Sequence, residues 1–153
     1  MRKTMAALAA AALVATARGG EPALGSDPVV AALDTMIQDE YRTEAGYRRA
    51  VRDLGRVEPF AEFADAERNH AEMIGTLYER RGLPVPASAW TPDRAPAHRT
   101  REAACAAAAR HEARSAEAYD RFLRAGLPGD VRHVFRHNRN VARHSHLPAL
   151  RAC

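Results

Sequence analysis

From Pro28 onward, apolar residues return at alternating steps of three and four, and proline and glycine interrupt the pattern at Gly25 to Pro28, Gly55, Pro59, Gly82 to Pro86, Pro92 to Pro96 and Gly126 to Gly129. Four helices follow. The first is predicted over Pro28 to Leu54, with Asp27 as N-cap and Pro28 at the first helical position. The second runs from Pro59 to Arg81 and stops at Gly82, and the third runs from about Thr100 to Ala125 and stops at Gly126. The fourth begins after Asp130, another capping residue, and reaches Leu147 or a little beyond, where Pro148 disturbs the last turn. No segment alternates with period two, so an all-α chain without a sheet is expected.

Two of the connections are short and make antiparallel hairpins of helices one and two and of helices three and four. The segment from Gly82 to about Arg99 is long and proline-rich, holds Trp90, and must carry the chain between the hairpins. One long crossover between two hairpins is the connection of a ferritin-like four-helix bundle, here residues 28–153. The halves also echo each other: Glu40 precedes Tyr47 by seven residues and Glu112 precedes Tyr119 by seven, an offset of 72 in both cases.

The buried register of helix one is Val30, Leu33, Ile37, Glu40, Glu44, Tyr47, Val51 and Leu54, so two carboxylates stand where leucine belongs. Helix two reads Phe60, Phe63, Glu67, His70, Ile74 and Leu77, interrupted by a Glu-x-x-His pair. Helix three reads Cys105, Ala108, Glu112, Ser115, Tyr119 and Phe122, with one more carboxylate. Burying an unpaired carboxylate costs several kcal/mol, so these groups need cations or a metal. Measured from the turns at 1.5 Å per residue, Glu40, Glu67, His70 and Glu112 fall within roughly two helical turns of one level. A Glu from each of two helices with Glu-x-x-His from the others is the ligand plan of di-iron and di-manganese carboxylate bundles. Glu44 ranks below these, as an outer acceptor or a partner of Arg48.

At these residues the chain resembles a family of exported ferritin-like domains of unknown function that is itself similar to rubrerythrin. The likeness lies in Asp39-Glu40-Tyr41-Arg42-x-Glu44-Ala45-x-Tyr47, in Ala64-Asp65-Ala66-Glu67-Arg68-x-His70-Ala71, in Gly82-Leu83-Pro84-Val85-Pro86 and in His146-Leu147-Pro148-Ala149-Leu150-x-x-Cys153. It covers most of residues 28 to 153. It implies Glu40, Glu67, His70, Glu112 and His146 as ligands, with iron the usual metal of the wider superfamily, manganese the alternative, and one or two ions. It leaves a homodimer open.

The fourth helix departs from that plan. Arg143 stands three residues before His146 where a Glu is expected, and the 72-residue offset points to Arg139 and Ala142, one turn from His146. An incomplete, mononuclear site is therefore the expectation, with Arg143 offering a cation to a carboxylate of the seam and Tyr47 and Tyr119 available as hydrogen-bond partners. His133, His137 and His144 share another face of this helix, read as a surface stripe with weak transition-metal capacity. His111 points away from the seam, and His98 lies in the crossover.

The N-terminus alters the setting. Met1 to Thr4 is charged, Met5 to Ala15 is an apolar run of about 11 residues where a membrane span needs roughly 20, and Ala15-Thr16-Ala17 is a small-residue cleavage site. Residues 1–17 read as a secretory signal peptide, residues 18–27 as a mature tail, and the protein as secreted or held in the cell envelope without a membrane span. Cleavage removes Arg2 and Lys3 and no acid, so Lys plus Arg falls from 23 to 21 against 19 acids, a net charge of about +2. Arginines dispersed among glutamates form no basic stripe, which argues against nucleic acid as a partner. In an exported chain, Cys105 and Cys153 favour a disulfide between the start of helix three and the end of helix four. The function expected is metal binding, with oxidation of Fe(II) or reaction with oxygen or peroxide as its chemistry. The alternative is an exported helical module that has lost the metal site.

Overall fold

The computed structural model describes residues 27–153, so the expected signal peptide and all but the last residue of the expected mature tail lie outside the described residues. Among the described residues there is no strand. Helix α1 spans Pro28–Leu54, α2 Phe60–Glu79, α3 Arg101–Leu123 and α4 Gly129–Val141; a π-helical turn, Ala142–His146, joins α4 to α5, Leu147–Ala152. Asp27 caps α1 as expected, its carboxylate accepting from the Val29 N–H at 2.8 Å, and Thr100 caps α3 by accepting from Ala103. Gly55 closes α1 at φ 84°, a left-handed backbone that strongly favours glycine. Asp130 is not the cap of the fourth helix: α4 starts one residue earlier. Its carboxylate instead takes both Arg81 guanidinium nitrogens, at 3.0 and 3.1 Å, while its charge remains in the first turn where the helix dipole welcomes it.

The helix directions follow from cross-contacts. Tyr78 near the end of α2 donates to Asp34 near the start of α1, and Tyr47 near the end of α1 lies 5.8 Å from the Phe60 ring, so α1 and α2 are antiparallel. Tyr119 reaches Glu40 while Tyr47 reaches Glu112, which makes α3 antiparallel to α1. Tyr119 packs edge-on to Phe135 at one end, and Cys105 meets Cys153 at the other with Cα atoms 6.0 Å apart, which sets the fourth helical rod against α3. The segment between α2 and α3 runs along α1, anchored by Gln38 to the Ala87 carbonyl and by Arg49 to the Pro92 and Ala95 carbonyls.

Two apolar clusters fill the interior. One gathers Leu33, Met36, Ile37, Ile74, Leu77, Val131 and Phe135, and the other gathers Tyr47, Phe60, Phe63, Ala104 and Leu150. The charged residues of the seam sit between these clusters, so the bundle places its polar layer where water is excluded from both sides. No helix among the described residues is long and apolar enough to cross a membrane.

Candidate metal centre

Glu40, Glu67, Glu112, His70 and His146 are all buried, none more than 5% exposed. Glu40 comes from α1, Glu67 and His70 from adjacent turns of α2, Glu112 from α3 and His146 from the end of the π turn. Glu67 is the centre of the arrangement. Its Oε2 lies 3.0 Å from His70 Nδ1 and its Oε1 lies 2.8 Å from His146 Nδ1. His70 Nδ1 also approaches Glu40 Oε2 at 3.6 Å, and His146 Nδ1 approaches Glu112 Oε1 at 3.2 Å. The result is two buried trios, Glu40–Glu67–His70 and Glu67–Glu112–His146, that share Glu67; within each trio the potential ligand atoms lie within 4.8 Å of one another.

Two tyrosines hold the outer carboxylates. Tyr47 donates its phenolic hydrogen to Glu112 Oε1, and Tyr119 donates to Glu40 Oε1. Burial, followed by the charge of the neighbouring Glu112 or Glu40, pushes both phenols well above their ordinary range, so they remain donors. The sequence repeat is thus a structural symmetry: each Tyr seven residues after a Glu serves the other half's Glu.

The charges are mutually adjusted. Burial and the nearby Glu67 push Glu40 up to about 8. Burial also acts to raise Glu67, but hydrogen bonding with Glu40, His146 and His70 outweighs it and brings Glu67 below its ordinary value. Burial alone would lower both imidazoles, yet their carboxylate partners win, raising His70 to about 10 and His146 to about 9. Protonated imidazoles therefore serve as the counter-cations of this layer, a role that a divalent ion competes for.

The fourth rod departs from the sequence reading in a definite way. Arg143 does not turn toward the seam. It binds Asp120 Oδ2 at 2.6 Å, beside Arg139 on Asp120 Oδ1 at 2.8 Å, a network on the outer face that holds Asp120 below its usual range. From Asn138 onward the buried stripe is Asn138, Ala142, His146 and Leu150, spaced uniformly by four. In a regular α-helix three such steps drift by about 120° around the axis. The π turn, with the Leu147 N–H bonded to the Ala142 carbonyl, takes back part of that drift and aims His146 into the core. Proline at 148 has no N–H for the carbonyl four residues back and its ring crowds it, which gives a local cause for the widened turn. The expectation of a single site thus meets two trios, with Ala142 and Asn138 on the stripe where a fourth carboxylate was sought.

Asn138 is the residue that sequence reasoning missed. Its Nδ2 lies 3.3 Å from Glu40 Oε1 and 3.1 Å from the Tyr119 hydroxyl, while its Oδ1 is buried with no partner. An amide oxygen buried without a partner, on a side chain that touches Glu40, is one more oxygen donor suited to a hard or borderline cation. Glu44 pairs with Arg48 at 2.7 Å and takes no part in either trio. His133, His137 and His144 are exposed and belong to neither trio, although the His137 ring lies 6.0 Å from that of His70. His111 lies outside both trios, with Nε2 on the Thr43 hydroxyl at 2.7 Å. Comparison of the chain with protein-family models, curated proteins and solved structures finds no match in any of the three.

Proposed function

We propose that this is an exported, ferritin-like metal protein that holds iron or manganese at Glu40, Glu67, His70, Glu112 and His146. The observation that carries the reading is the sharing of Glu67 between two buried carboxylate–imidazole trios, one oxygen facing each histidine. Such a set suits one ion per trio. Oxygen and imidazole donors fit both metals. The path of the residue 80–100 segment along α1 supports the ferritin-like connection, and the signal-like residues 1–17 together with the cysteine pair support export. Iron or manganese bound here would supply redox chemistry toward oxygen or peroxide, with oxidation of Fe(II) as the minimum reaction. The chain's own residues would hold the carboxylates in place through Tyr47, Tyr119 and Asn138, exclude water with the two apolar clusters, and release protons from His70 and His146 on binding.

A second reading rests on the same hydrogen bonds: with both imidazoles protonated the layer already satisfies most of its charge, as a non-catalytic helical module would require. Metal analysis of tag-free protein separates the two. One or two iron or manganese ions per chain, lost in the Glu67→Ala/His70→Ala double variant, is the expected result. Protein that takes up neither metal and melts at the same temperature with and without them would overturn the metal reading.

A further inference from the structure

A half-open cavity of about 160 Å³ lies between α1 and α3 beneath the segment that leads into α3. Its walls are mostly apolar and built from small or aromatic residues, among them Gly46, Tyr47, Ala50, Phe60, Ala104 and Ala108. Gly46 is informative. It sits in the interior of α1, where glycine costs stability relative to alanine, and a Cβ built there would meet nothing within 4 Å. Neither backbone conformation nor crowding requires a glycine at this position; what it preserves is space. Two arginines, Arg42 and Arg114, bring positive charge to the rim, beside His98 and His111. The Arg42 guanidinium lies 5.0 Å from the Trp90 ring. Asp39 faces His111 Nε2 at 3.4 Å, and no carboxylate among the described residues pairs with Arg42 or Arg114. Positive charge around an apolar recess selects an anion with an apolar body.

We infer that this cavity binds a small monocarboxylate whose hydrocarbon or aromatic part enters between Gly46 and Ala108 while its carboxylate meets Arg42 and Arg114. The volume matches a single six-membered ring, since engineered cavities of about 150 Å³ take benzene. The occupant would rest on the ring of Tyr47, whose hydroxyl holds Glu112, so the pocket adjoins the candidate metal centre without sharing its donors. Binding in this cavity needs no metal ion.

Benzoate, benzyl alcohol and benzylamine serve as probes, titrated by calorimetry into the full mature chain stripped of metal with a chelator. Saturable benzoate binding, at least about tenfold tighter than benzylamine and tighter than benzyl alcohol, is expected from the charge-assisted contact. Gly46→Leu and Ala108→Leu should abolish it. Gly46→Ala, which should raise the melting temperature, shows whether the helix tolerates a side chain at that position. Arg42→Gln/Arg114→Gln should erase the preference for benzoate over benzyl alcohol while leaving the alcohol bound. Absence of saturable binding, equal affinity for benzoate and benzylamine, or benzoate binding unchanged in a folded Gly46→Leu protein would each overturn the proposal. Benzoate that binds only after metal is restored would place the carboxylate on the ion and would also overturn it.

Discussion

Individual side chains in the polar layer are constrained by how few donors face how many carboxylate oxygens. Glu40 Oε1 takes hydrogens from Tyr119 and Asn138, so loss of either leaves a buried acceptor short. Tyr119→Phe should therefore cost about 1 to 3 kcal/mol in chelator, measured by urea unfolding. Asn138→Asp tests the opposite change. It replaces a donor to Glu40 with another acid in a fully buried position, and the metal-free protein should lose about 3 to 5 kcal/mol. Added Mn(II) should recover more stability in this variant than in the parent, because a cation can satisfy the extra carboxylate. A variant as stable as the parent in chelator would show that Asn138 lies in a wetter place than its burial indicates.

At the scale of the helices, the period of the apolar positions located every rod, and α1 begins and ends where Asp27, Pro28 and Gly55 predicted. The residues of the first three helices were equally legible, because Glu40, Glu67, His70 and Glu112 break stripes made mostly of apolar and aromatic residues. The fourth rod was not legible in the same way. Its π turn shifts the register within the element, and no pattern of a fixed 3.6-residue period can announce it; the spacing of Asn138, Ala142, His146 and Leu150 acquires meaning only once the axis is known to widen. The Glu-x-x-His spacing points Arg143 at the seam, three residues before His146, whereas Asp120 on the facing turn of α3 draws it outward. The tether at the end of this rod has its own consequence. Cys105 and Cys153 span a 48-residue separation, so Cys153→Ser should cost about 2 to 4 kcal/mol relative to the oxidised parent. Oxidised protein should also show no reactive thiol on labelling; two labelled thiols would leave α5 held by packing alone.

For the whole molecule, the two core clusters are bridged by a layer whose charge state depends on pH, so global stability should follow it. Glu40 moves from an ordinary 4.5 to about 8 on folding, His70 from 6.5 to about 10 and His146 from 6.5 to about 9. All three bind protons more tightly in the folded chain. The native state then carries more protons than the unfolded one across this range, and stability must fall as pH rises. Glu67 acts in the other direction, but its contribution is already present above its ordinary 4.5 and does not change in the window. Metal-free protein should accordingly lose melting temperature steadily from pH 6 toward pH 10, as the imidazoles give up the charge that balances Glu67 and Glu112. A divalent ion supplies positive charge without a proton, so the increment given by Mn(II) should grow between pH 6 and 8.5. Paired thermal melts in chelator and in Mn(II) measure both trends. A melting temperature in chelator that is flat or rises with pH would mean that the imidazoles are neutral in the fold, and the carboxylates would then need another source of positive charge.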